Sequence, residues 1–178
     1  MSLPLLNVHD LIGHPGMARS MDLLGTLDGL ATELVAVPDD ALLGGPLSLE
    51  SVIEGVFVAG SITGTWRVRC ARCLTEETRP FTVEIGELVT PAAAGAEDAG
   101  DDGYILVDEQ IDIDQIVRDA IGVEMPFAPL CRPDCQGLCP TCGGNRNLGE
   151  CPGHDVIDPR FAVLSELLID LPTTDDPS

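Results

Sequence analysis

The sequence predicts an α+β fold: an antiparallel β-meander or partial barrel with a few short helices, followed by a compact cysteine-rich segment. Three observations carry this expectation. From Leu47 to Val89 the chain is rich in β-branched and apolar residues in rough alternation, punctuated by Gly55, Gly60, Gly64 and Pro80. Ile111, Ile113, Ile116, Val117 and Ile121 recur at the spacing of one helical face. Five of the seven cysteines lie between Cys131 and Cys151.

Taken in order, residues 1–20 carry apolar stretches, Leu3 to Val8 and Leu11 to Ile12, broken by Gly13, Pro15 and Gly16. They read as an ordered arm packed on the body. In the strand from Ser61 to Cys70, alternation places Trp66, Val68 and Cys70 on one side and Thr65, Arg67 and Arg69 on the other. Leu74 to Val83 reads as a turn entering another strand. Residues near 91–103 shift to Ala, Gly, Glu and Asp without apolar periodicity, the composition of a flexible acidic loop. Tyr104 to Val107 can form a further strand. The amphipathic helix follows, with Asp112 and Asp114 in its first turn, where the helix dipole favours negative charge, and it should end near Pro126. Asp158 as N-cap and Pro159 at the first helical position open a last helix with Phe161, Leu164, Leu167 and Leu168 on one face. The expected organisation is a body over 1–125, a cysteine-rich segment over 126–157, a helix over 158–171 and a mobile tail over 172–178.

Composition narrows the function classes. At 178 residues and 44% hydrophobic content the chain can bury one sizeable core. Aromatics make up only 3%, so the core rests on Leu, Ile, Val and Ala, and a base-stacking sheet is disfavoured. The formal charge is -21, and every basic residue is arginine. Such a field repels nucleic acid at long range and attracts basic partners, so any contact with RNA must be local or mediated by another protein. The N-terminus has no basic residue before Arg19, and no long apolar run occurs, so neither a secretory signal nor a membrane span is expected. A cytoplasmic location is the corresponding expectation.

In a reducing compartment an odd number of clustered cysteines reads as metal binding rather than as a disulfide framework. Cys139-Pro140-Thr141-Cys142-Gly143 is a turn in which two thiols can hold one ion, and the glycine permits the positive φ that aims backbone N–H groups at them. A second pair must come from Cys131, Cys135 and Cys151, with His154 a further candidate. The preferred set for a closed, structural zinc site is Cys135, Cys139, Cys142 and Cys151, with Cys131 as the substitute. Residues 126–157 hold few large apolar side chains, so the metal would supply the folding free energy, of the order of 10 kcal/mol. Cys70-Ala71-Arg72-Cys73 allows three readings: thiols packing a β-turn, a second metal half-site, or a redox pair. A redox pair of the thioredoxin type calls for a helix after the motif, which Leu74 to Val83 does not suggest. Arg67, Arg69, Arg72 and Arg79 are either a patch for RNA or partner contact or the solvated face of a hairpin beside Glu76, Glu77 and Glu84. His9 and His14 read as surface or packing residues.

Together the Cys70-to-Leu74 strand end, the acidic stretch leading into Ile111-Asp112, the segment Cys135-Gln136-Gly137-Leu138-Cys139-Pro140-Thr141-Cys142-Gly143 and the closing Asp158-Pro159-Arg160-Phe161-Ala162-Val163-Leu164 resemble the YceD/DUF177 family. The resemblance runs in the family's order from about Leu5 to Leu168. It implies a non-enzymatic accessory role in large-subunit ribosomal RNA accumulation and ribosome assembly, with a large-subunit precursor, its rRNA or a basic large-subunit ribosomal protein as partner. It implies no known catalytic activity; no small-molecule substrate and no membrane partner are expected. Some members lack most of the C-terminal cysteines, and this chain ends its cluster in Cys151-Pro152-Gly153-His154 where many relatives carry a closer cysteine pair. Against the assembly-factor expectation stand two others. One is an acidic, chaperone-like module shielding a basic ribosomal protein, which the charge favours. The other is a thiol oxidoreductase or zinc hydrolase, for which the sequence offers no phosphate loop, His-Glu-x-x-His helix or serine nucleophile motif.

Overall fold

The computed structural model describes residues 2–91 and 103–154. The expected acidic loop (apart from its flanks), C-terminal helix and tail lie outside the described residues. The chain divides into two compact units at Cys135/Gln136. Residues 126–135 therefore belong with the body, not with the cysteine-rich segment that follows.

The first unit is mostly β-sheet with one helix. Its strands are β1 (Leu5–Asn7), β2 (Ala18–Gly25), β3 (Val35–Ala36), β4 (Leu43–Ser51), β5 (Val56–Arg69), β6 (Glu76–Pro91), β7 (Tyr104–Leu106) and β8 (Gln110–Asp112), and its helix is α1 (Ile113–Glu124). The main sheet runs β2-β4-β5-β6-β7, with β3 paired to β5, and stays open, so of the two expected forms it is the meander and not the partial barrel that the strands approach. Strands β2 to β6 pair antiparallel, as a meander should, but β6 and β7 are parallel, with Val89 opposite Tyr104. That departure was hidden because pairing direction depends on the path of the connection, and residues between them carry no periodicity. A separate two-stranded ladder joins β1 to β8.

The hairpin of β5 and β6 dominates the sheet, pairing without a slip from Val56 opposite Val89 to Arg69 opposite Glu76. Alternation decides its faces: Trp66, Val68 and Cys70 are buried while Arg67 and Arg69 are exposed. Trp66 meets Phe81 across the hairpin with ring centroids 4.2 Å apart. Ile113, Ile116, Val117 and Ile121 of α1 complete a core built almost wholly of Leu, Ile and Val. Asp112 caps α1, its carboxylate accepting from the N–H groups of Asp114 and Gln115 at 3.1 and 3.2 Å. The N-terminal arm is pinned by Leu3, Leu6, Val8 and Leu11 in the core, and by Ser51, whose buried hydroxyl donates to the Leu11 carbonyl at 2.6 Å.

The described part of the second unit, residues 136–154, has no comparable core. Cys139 is its only buried apolar side chain among the described residues. Its regular structure is one short 3-10 turn, Arg146–Leu148, opened by Asn145, and a single bridge between Leu138 and Asn145. Polar side chains hold the rest: Asn147 Oδ1 accepts from the Gln136 N–H at 2.8 Å, and Glu150 from the Asn145 N–H at 2.9 Å.

Candidate metal centres

The thiols gather into two groups, one in each unit. In the first unit Cys70, Cys73, Cys131 and Cys135 converge, and in the second Cys139, Cys142, Cys151 and His154 do. Within each group the donor atoms all lie within 4.8 Å of one another. Together they use all seven cysteines, and His154 supplies the eighth donor, which accounts for the odd cysteine count. The structure does not bring together the expected set of Cys135, Cys139, Cys142 and Cys151. Cys135 and Cys131 turn back to the hairpin tip, and the vacated position beside Cys139, Cys142 and Cys151 falls to His154. Spacing along the chain favoured Cys135 because it precedes Cys139 so closely; the pairing actually formed spans 58 and 65 residues and has no local signal.

Both groups rest on the same turn. In the second unit the Cys139 N–H donates to the Gly144 carbonyl and the Gly143 N–H to the Cys139 carbonyl, each at 2.8 Å. Gly143 takes φ 73°, the left-handed conformation glycine adopts freely. At the hairpin tip the Cys70 N–H donates to the Thr75 carbonyl and the Leu74 N–H to the Cys70 carbonyl, each at 2.9 Å. Leu74 occupies the position of the glycine and takes φ 59°. A leucine there carries conformational strain of about 1–2 kcal/mol.

The segment carrying Cys131 and Cys135 is held to the hairpin by polar contacts. The Ala71 N–H donates to the Pro129 carbonyl at 2.8 Å, Arg72 Nη1 to the Cys135 carbonyl at 2.9 Å, and Arg79 Nη2 to the Leu130 carbonyl. Arg79 also pairs with Glu77, and Arg69 with Glu76 at 2.9 Å. Of the four hairpin arginines, Arg67 alone makes no side-chain hydrogen bond or ion pair among the described residues. The patch read from the sequence is thus largely committed to contacts inside the first unit.

Thiol ionisation is split within each group. Burial opposes ionisation of Cys70, yet the backbone N–H groups of Cys73, Cys131 and Arg72 outweigh it and lower the thiol from 9.0 to about 6. The N–H groups of Cys142 and Thr141 likewise bring Cys139 to about 6. Thr75 lowers Cys73. Burial and the neighbouring thiols push Cys131 up to about 12. At Cys151 the N–H of Gly153 favours the thiolate, but Cys139, burial and Cys142 together raise it. Backbone N–H groups that stabilise a thiolate also suit it to bind a cation.

Four thiolates, or three thiolates and an imidazole, at this spacing suit a tetrahedral d10 ion, and a site closed by four protein ligands leaves no position for a reacting water. The donor sets therefore fit structural zinc, whose contribution would be to hold each turn.

Residues 58–168 match the family described as "Large ribosomal RNA subunit accumulation protein YceD". The chain belongs to the YceD family. The matched span includes both cysteine groups. An uncharacterized protein of Mycobacterium tuberculosis is 41% identical over 143 residues, covering 78% of this chain and 68% of that protein. An uncharacterized protein of Mycobacterium leprae is 38% identical over 155 residues, covering 85% and 71%. A chloroplastic Zea mays protein named large ribosomal RNA subunit accumulation protein YCED homolog 1 is 28% identical over 180 residues, covering 82% and 59%. No solved structure matches the chain. Membership in the YceD family supports a ribosome-related role.

Proposed function

We propose that this chain is a non-enzymatic accessory factor for accumulation of large-subunit ribosomal RNA, with a structural zinc ion held in its second unit by Cys139, Cys142, Cys151 and His154. The family match over residues 58–168 carries the functional part. The near absence of buried apolar side chains from 136–154 supports the metal, because such a segment cannot offset its own ordering entropy. No helix among the described residues is long and apolar enough to cross a membrane, and the chain would act wherever large subunits are assembled. The lowered Cys70 and Cys73 thiols would suit a redox pair, but the motif joins two antiparallel strands with no helix after it, and its sulfurs lie against those of Cys135 and Cys131, which favours the structural reading.

The geometry of the hairpin favours a second reading of the partner. With Arg69, Arg72 and Arg79 engaged by acids and carbonyls of the same unit, only Arg67 of the hairpin arginines is left for phosphate, while the net charge of -21 suits a basic ribosomal protein. Purification of the tagged protein from its own cells at low salt, repeated with ribonuclease and at high salt, separates the two. Large-subunit precursors lost with ribonuclease indicate action on RNA, and a basic ribosomal protein that survives ribonuclease indicates the chaperone-like reading. Recovery of neither would contradict the ribosomal proposal.

A further inference from the structure

We propose that Cys70, Cys73, Cys131 and Cys135 form a second, independent metal centre, a four-thiolate zinc site that staples the 129–135 segment to the tip of the β5–β6 hairpin. It does not depend on the ribosomal reading or on the zinc of the second unit. The geometry of the sulfurs is the first support. Four ligands about 2.3 Å from a tetrahedral zinc lie roughly 3.8 Å from one another. The Cys70 and Cys135 sulfurs are 3.8 Å apart and those of Cys73 and Cys131 are 3.6 Å apart. A disulfide requires about 2.05 Å, so neither pair is bonded.

The second support is the turn itself. Cys70 to Leu74 reproduces, hydrogen bond for hydrogen bond, the turn at Cys139 to Gly143, including the left-handed residue after the second cysteine. Leucine tolerates that conformation poorly, so something must hold it there. Two thiolates fixed on one ion would do so. The Arg72 N–H also donates to the Cys70 sulfur at 3.4 Å, the kind of contact that orients a thiolate toward a metal.

Charge completes the case. Four thiolates around a divalent ion leave a net charge of -2, sited here where Cys70, Cys73 and Cys135 are buried. In a chain already at -21 such a centre needs local compensation. Arg72 provides it, its guanidinium reaching the Cys135 carbonyl, while Arg79, paired with Glu77, holds the Leu130 carbonyl of the same segment. The arginines that sequence alone offered to RNA thereby gain a role as positioning residues of a metal centre.

The test is zinc stoichiometry on the purified full-length chain, with two variants. Wild type should carry two equivalents, and C70S/C73S and C139S/C142S should each carry one. One equivalent in wild type that survives C70S/C73S would overturn the proposal and leave the zinc of the second unit standing. One equivalent lost in C70S/C73S but kept in C139S/C142S would uphold the proposal and sink the other site. Should a variant fail to fold, cobalt-substituted wild type decides: sulfur-to-cobalt charge transfer should correspond to seven thiolate bonds, in one all-sulfur and one mixed centre. Intensity for only three, with four freely titrating thiols, would refute the first centre.

Discussion

Leu74→Gly should leave the zinc-loaded protein more stable than Leu74→Ala, reversing the usual order of those two residues. Both variants remove the same half-exposed side chain, so the burial it contributes cancels in the comparison. What remains is backbone. Alanine at φ 59° keeps the left-handed strain, about 1–2 kcal/mol, whereas glycine is free of it. Glycine also gives the unfolded chain more freedom, worth roughly 0.5–1 kcal/mol against it. The difference favours Leu74→Gly by about 0.5–1 kcal/mol, a two- to fivefold change in an equilibrium constant. Gly143→Ala should show the mirror effect: nothing lies within 4 Å of a Cβ built there, so its loss is conformational and of the same size. Urea unfolding reports the pair at Leu74, and zinc competition against a chromophoric chelator reports Gly143. If Leu74→Ala proves the more stable of the two, the turn does not hold a left-handed residue and its equivalence to Cys139–Gly143 fails.

Stripping zinc should act unevenly. Amide exchange is expected to lose protection across 136–154 while β4, β5 and β6 keep theirs, because the sheet has its own core and zinc binding in small modules contributes about 10–16 kcal/mol; persistent protection of 136–154 without metal would contradict this. In zinc-free, reduced protein the Cys70 thiol, lowered to about 6 from 9.0, contributes stability that is complete above pH 9 and is lost as pH falls through 6. Cys131, raised to about 12, contributes stability that is present below pH 9 and lost as pH rises toward 12, so the urea midpoint of the first unit should peak near pH 9 and decline on both sides. Arg79→Ala should lower stability by about 1 kcal/mol, less than a buried charged hydrogen bond because the side chain is 38% exposed, and should speed zinc release from the Cys70 group several-fold. Weakened RNA binding with unchanged zinc release would instead mark Arg79 as a phosphate contact.

The parts of this molecule written in short-range pattern could be read from the chain. Alternation in β5 places Trp66, Val68 and Cys70 on the buried side, and the spacing of Ile113, Ile116, Val117 and Ile121 with Asp112 before them specifies α1 and its cap. Features set by long-range return could not. The parallel pairing of β6 with β7 and the meeting of Cys131 and Cys135 with the hairpin tip join residues far apart in sequence. One further feature was masked by a single residue. Leu74 stands where a glycine would have advertised Cys70 to Cys73 as a metal turn, as Gly143 does for Cys139 to Cys142. The contacts of the arginines are long-range in the same way: Arg72 and Arg79 look like surface charge on the hairpin until the 129–135 segment is laid against them.

The central claim, a role in accumulation of large-subunit ribosomal RNA, is tested most directly by the ratio of large- to small-subunit rRNA in cells whose copy of this gene has been removed. The ratio should fall, and it should recover with the wild-type gene but not with one encoding C70S/C73S/C139S/C142S at equal protein level. An unchanged ratio, with growth and subunit profiles like those of the parent strain, would contradict the account.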